Sequence, residues 1–88
     1  MYKVKFTPEA NNDLEFYKKS GNIAHFKKVS KLVRELSEHP ETGTGKPERL
    51  KHGLSGFWSR RIDSKNRMLY RIEEEIITVL VFSVKGHY

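Results

Sequence analysis

A carboxylate, several fixed cations and an imidazole stand at intervals along this chain. Glu48 lies in the tract Gly45-Lys46-Pro47-Glu48-Arg49-Leu50-Lys51-His52. Arg61 lies in the run Gly56-Phe57-Trp58-Ser59-Arg60-Arg61-Ile62, Arg67 follows shortly after, and the last two residues are His87-Tyr88. Together these are the side chains needed to cleave RNA without a metal. A general base takes a proton from a 2′-hydroxyl, cations hold the phosphate, and a general acid protonates the leaving oxygen. They sit in separate segments, so the fold decides whether they meet.

Each residue also has a plainer reading. By spacing alone, Glu48 between Pro47 and Arg49 is a solvated loop acid; as a carboxylate ionised at neutral pH, it also suits a general base. Arg60 and Arg61 are adjacent, so on a strand they point to opposite faces. Both read first as surface cations at a sheet edge, their stems lying along apolar surface. If Trp58 and Ile62 face the core, Arg61 faces the open side and could grip a phosphate with its planar fork. A hairpin would bring Arg67 close to the Arg61–Ile62 end, and two adjacent guanidinium groups repel unless an anion sits between them. Lys46 and Lys51 flank Glu48 and either contact RNA phosphates or solubilise the loop. Trp58, Phe57 and Tyr70 read as core side chains rather than base-stacking platforms. His87 and Tyr88 fall where chains commonly fray, but a strand up to Val84 would leave only a short tail, and imidazole donates protons near neutrality.

The elements that must position these groups follow from periodicity. Tyr2, Val4 and Phe6 alternate with Lys3 and Lys5, the period of a half-buried strand. Thr7-Pro8-Glu9 reads as a helix start, with a hydroxyl cap, proline at the first position and an acid in the first turn. Ala10, Leu14 and Tyr17 give its apolar stripe, and Ser20-Gly21-Asn22 breaks it. A longer helix is predicted from Ile23 to His39, with Phe26, Val29, Leu32, Val33 and Leu36 on its apolar face and Pro40 as its stop. Residues 41–55 read as a long loop, of the kind that often carries function. Strands follow at 57–62, 67–72 and 76–84, the last apolar enough to be central and covered on both faces. The order β-α-α-β-β-β predicts an α+β domain, with two helices on one face of a mainly antiparallel sheet and an open face that could carry Arg side chains.

Composition narrows the classes. The chain has 88 residues and is expected to form a single domain, 1–88. Lys and Arg number 17 against 11 Asp and Glu, a net charge of +6 that favours nucleic acid, an anionic surface or an acidic protein as partner. Cysteine is absent, which removes disulfides, thiolate metal sites and cysteine nucleophiles and fits a reducing cytoplasm. His25, His39 and His52 show no metal-ligand spacing, so neither metal nor cofactor is expected. The longest apolar run is too short to span a bilayer, and the first residues lack a signal peptide's apolar core.

The stretch Gly45-Lys46-Pro47-Glu48-x-Leu50-Lys51-His52-x-Leu54-Ser55-Gly56-Phe57-Trp58-Ser59-Arg60-Arg61-Ile62, with Arg67-x-x-Tyr70 and the final His87-Tyr88, closely resembles the YoeB toxins of the RelE-type superfamily of bacterial toxin–antitoxin systems. The resemblance covers essentially the whole chain. It implies a RelE-like, microbial-ribonuclease-like fold and a ribosome-dependent endoribonuclease that cleaves mRNA in the A site. It implies Glu48 as general base, His87 as general acid and Arg67 as the cation on the charged phosphate. Arg61 and Lys51 would assist, and Tyr88 would shape the site. It further implies an acidic, YefM/Phd-like antitoxin that folds on binding, and a homodimer. Lys85-Gly86 departs from the arginine–tyrosine pair that some relatives carry before the final histidine. Two rivals stand beside this reading: a non-catalytic RNA- or ribosome-binding module, and a ParE-like toxin directed at gyrase.

Overall fold

A computed structural model describes residues 1–86. Strand β1 (Lys3–Phe6) leads into helix α1 (Pro8–Lys19) and helix α2 (Ile23–Glu38). Strands β2 (Glu48–Arg49), β3 (Trp58–Arg61), β4 (Arg67–Glu73) and β5 (Thr78–Ser83) follow. The architecture is the expected α+β one, with one more strand than the predicted order: a two-residue β2 lies inside the segment read as loop. It pairs antiparallel with β3, Glu48 opposite Ser59 and Arg49 opposite Trp58. So short a strand, between Pro47 and Leu50, shows no period to read. The five strands run β1-β5-β4-β3-β2, all antiparallel neighbours except β1 and β5.

The last strand starts later than predicted. Ile76 belongs to a single 3-10 turn, and Ile77 adopts φ +47°, so both stay exposed and pairing begins at Thr78. Thr7 caps α1 as its hydroxyl predicts, accepting from the Ala10 amide at 3.1 Å. Asn22 does the same for α2, accepting from the His25 amide. Ala10 and Tyr17 of α1 join Val29, Leu32 and Leu36 of α2 over Met68, Tyr70, Val79, Val81 and Val84, and these side chains form the core.

Strand parity sorts the sheet into two faces. Tyr70, Val79 and Val81 meet the helices, whereas Phe57, Arg61, Arg67 and Arg71 belong to the other face. There Phe57 meets Phe82 edge-on at 5.0 Å and Arg71 lies 5.4 Å over the Phe57 ring. Arg61, Arg67 and Arg71 are therefore carried on strands of an aromatic-lined sheet.

Candidate active site

Glu48 is placed by two anchors. The first is its pairing with Ser59 across β2 and β3. The second is the loop just before it. The Arg61 amide donates to Gly45 O at 2.7 Å, and Gly45 adopts φ +86°. A Cβ there would lie 2.7 Å from Arg61 O, so only glycine lets the loop lie this close to β3.

Arg60 holds the rest of that loop. Its guanidinium is fully buried, which corrects the expectation of a surface cation. Nη1 donates to Glu35 Oε1 at 2.9 Å, and Nη2 donates to His39 O at 2.6 Å and Thr42 O at 2.7 Å. Nε donates to the Tyr70 hydroxyl at 3.2 Å, and that hydroxyl donates to Pro40 O at 2.7 Å. One guanidinium thus binds carbonyls just past the end of α2 and ties that end to the loop leading to Glu48. Burial pushes the Glu35 carboxyl up, but hydrogen bonds from Thr44 and the Arg60 charge outweigh it and hold it below its ordinary value. The signal for Arg60 was in the parity: the alternation that turns Trp58 and Ile62 inward turns Arg60 inward too.

Arg67 opens β4 directly opposite Arg61 on β3, as the hairpin predicted. The anion that relieves their repulsion is Glu48: Arg67 Nη1 donates to Glu48 Oε1 at 2.9 Å. The Arg67 side chain is 15% exposed and that of Glu48 57%, so the carboxylate is exposed while its cation is mostly buried. Arg61, Lys46 and Lys51 are exposed, and none of their side chains has a hydrogen bond or ion pair among the described residues. Three cations are thus uncommitted: Arg61 opposite Arg67 on β3, and Lys46 and Lys51 two residues before and three after Glu48 in the chain. A phosphate entering between Arg61 and Arg67 would find fixed charge and would compete with Glu48 for the Arg67 fork.

The expectations for His87 and Tyr88 fall outside the described residues. The chain reaching them is well held. Tyr17 donates through its hydroxyl to Val84 O at 3.0 Å, and the Val84 amide donates to Asp13 Oδ2 at 2.9 Å. The Gly86 amide donates to Asn66 Oδ1 at 3.1 Å, and the Arg67 amide donates to Gly86 O at 2.8 Å. Gly86 therefore lies against the backbone of Arg67. Asp13 and Asn66 were not singled out from the sequence, and Tyr17 was read only as part of the apolar stripe of α1, because their hydrogen-bond partners lie far along the chain. Among the described residues no three His, Asp or Glu side chains converge as a metal site, and no helix is long and apolar enough to cross a membrane.

The family described as the YoeB-like toxin of bacterial type II toxin–antitoxin systems matches residues 6–88. The toxin YoeB of Mycobacterium bovis is 36% identical over 88 residues, the full length of both chains. Among solved structures, a YoeB/ParE toxin from Agrobacterium tumefaciens superposes with a TM-score of 0.88 at 32% identity, covering 98% of this chain and 99% of that one. The YoeB–YefM complex from Staphylococcus aureus matches with a TM-score of 0.82 at 30% identity, over 100% and 99% of the two chains. A YoeB dimer from the same organism matches at 0.83 and 30%, over 99% and 98%.

Proposed function

This chain belongs to the YoeB-like toxins of bacterial type II toxin–antitoxin systems, and from that premise we propose that it is a ribosome-dependent endoribonuclease that cuts mRNA in the A site. The observation that carries the reading is the Glu48–Arg67 pair at 2.9 Å, with Arg61 opposite Arg67 and the Gly86 backbone bonded to Arg67. It supports a base, a phosphate cradle and the approach to a C-terminal acid within one patch.

In the proposed reaction the scissile phosphate takes the Arg67 guanidinium and releases the Glu48 carboxylate. Glu48 accepts the proton of the ribose 2′-hydroxyl, whose oxygen attacks the adjacent phosphorus. Arg67, Arg61 and Lys51 neutralise charge growing on the non-bridging oxygens, and Lys46 holds a neighbouring phosphate. His87 donates a proton to the departing 5′-oxygen, and Tyr88 shapes the site around it. The products are a 2′,3′-cyclic phosphate and a 5′-hydroxyl end. No metal enters the scheme.

The partners proposed with it are mRNA on the 70S ribosome, an acidic YefM-like antitoxin drawn to the basic face, and a second copy of the chain as a homodimer. The complex with YefM and the dimer seen for the S. aureus relative support the last two. The place of action is the cytoplasm, where ribosomes translate. Primer extension on a defined mRNA, with 70S ribosomes and either wild type or Glu48→Gln, tests the reading. A cut inside the A-site codon that the variant loses supports it. Stable ribosome binding with an intact message removes it in favour of a binding module.

A further inference from the structure

The C-terminal segment is gripped from two sides. From α1, Asp13 and Tyr17 take the amide and the carbonyl of Val84, and Lys85 Nζ lies 3.8 Å over the ring of Phe16. From the turn between β3 and β4, Asn66 accepts the amide of Gly86. Asn66 is itself held. Its Nδ2 donates to both Asp63 oxygens at 3.2 and 3.3 Å, and its amide donates to Asp63 Oδ1 at 2.7 Å. Asp63 Oδ2 also lies 2.9 Å from His25 Nε2 on α2. The His25 ring meets Tyr17 edge-on at 5.9 Å, which closes the circuit between the two grips. Burial pushes the Asp63 carboxyl up, but hydrogen bonds from Lys65 and Asn66 and the nearby His25 outweigh it and keep it below its ordinary value, as suits an acceptor of several N–H groups.

Gly86 completes the device. Its φ of +125° is one that L side chains rarely adopt. We propose that Asn66, oriented by Asp63, is a positioning residue for the C-terminal acid: it fixes the Lys85–Gly86 peptide, the one immediately before the unit that leads to His87, while the Arg67 amide holds Gly86 O. The role is not a catalytic one, since Asn66 acts through the Gly86 backbone. It rests on the nuclease reading above, because it assigns the held segment a task in proton donation.

The test is a double-mutant cycle in single-turnover cleavage on programmed 70S ribosomes, with ribosome affinity measured alongside. Asn66→Ala is expected to slow cleavage roughly tenfold to a hundredfold, the scale on which a displacement of about 1 Å acts. Ribosome affinity should be unchanged, and in a His87→Ala background the same substitution should cost nothing further. Asn66→Asp alone should be slow, because it sets two carboxylates together. Combined with Asp63→Asn it should recover, since the acid–amide pair is restored in reverse and an oxygen still faces the Gly86 amide. Wild-type cleavage by Asn66→Ala, or an equal further loss in the His87→Ala background, overturns the proposal. Hydrogen exchange at the Gly86 amide reads the grip without any catalysis: protection lost in Asn66→Ala is expected, and unchanged exchange also overturns the proposal. A wild-type protein that leaves mRNA intact defeats the nuclease reading itself and is distinguishable from both.

Discussion

Arg67 Nη1 donates to Glu48 Oε1 at 2.9 Å, so the best-placed cation of the open face is already neutralised by the carboxylate beside it. The two residues are 19 positions apart and meet because β2 and β4 flank β3 on one sheet. In the proposed reaction this pair opens when phosphate arrives.

Glu48→Gln keeps the shape and an oxygen for Arg67 but cannot take a proton. Single-turnover cleavage is expected to fall by about 10²–10⁴-fold, the usual contribution of a general base. With Glu48 57% exposed, the ion pair contributes at most about 1 kcal/mol to stability. Thermal unfolding should therefore shift little, and a large drop in melting temperature would show that the pair is structural.

Arg60→Met should behave in the opposite way. It removes the guanidinium's hydrogen bonds to Glu35 Oε1, His39 O and Thr42 O from a buried setting. Removing one partner of such a buried pair costs about 3–5 kcal/mol. Urea unfolding of Arg60→Met against wild type measures it, and a loss under about 1 kcal/mol would contradict the role given to Arg60.

Gly45→Ala would set a methyl 2.7 Å from Arg61 O at φ +86°. The left-handed backbone alone costs about 1–2 kcal/mol for an L residue. Both the unfolding midpoint and cleavage should fall, cleavage by more than instability explains, because Glu48 follows three residues later. Unchanged cleavage at a temperature where the variant is folded would detach Glu48 placement from this contact.

The pH limits of stability have separate owners. Tyr17 is pushed from 10.0 up to about 12 by burial, aided by Asp63 and Asp13. A phenol raised in the folded state stabilises fully below its unfolded value, so this contribution is lost as pH rises from about 10 through 12. Glu35 and Asp63 are held below their ordinary values, so their contribution is present above the carboxylate range and is lost as pH falls through it. Chemical denaturation across pH should show Tyr17→Phe flattening only the alkaline limb and Glu35→Gln only the acid limb.

Local signals read well in this chain. Thr7-Pro8 and Pro40 mark where helices start and stop, and the alternation from Phe57 to Ile62 places Arg61 on the open face beside Arg67. Long-range partners are another matter. Nothing near Arg60 announces that Glu35 and the carbonyls of His39 and Thr42 will enclose it, because 18 to 25 residues separate them. Strand β2 escapes notice because two residues carry no period, and its pairing depends on the neighbour β3 supplies. Ile76 and Ile77 mislead because their β-branched character suits a strand, while the chain turns there and leaves both exposed.

The most direct test of the account uses two messages on programmed 70S ribosomes, identical except for a single 2′-deoxyribose at the A-site position that is cut. Cleavage of the all-ribose message and none at the deoxy position is expected, because Glu48 then has no 2′-hydroxyl to deprotonate. Cleavage at the deoxy position, or no cleavage of either message despite tight ribosome binding, would contradict it.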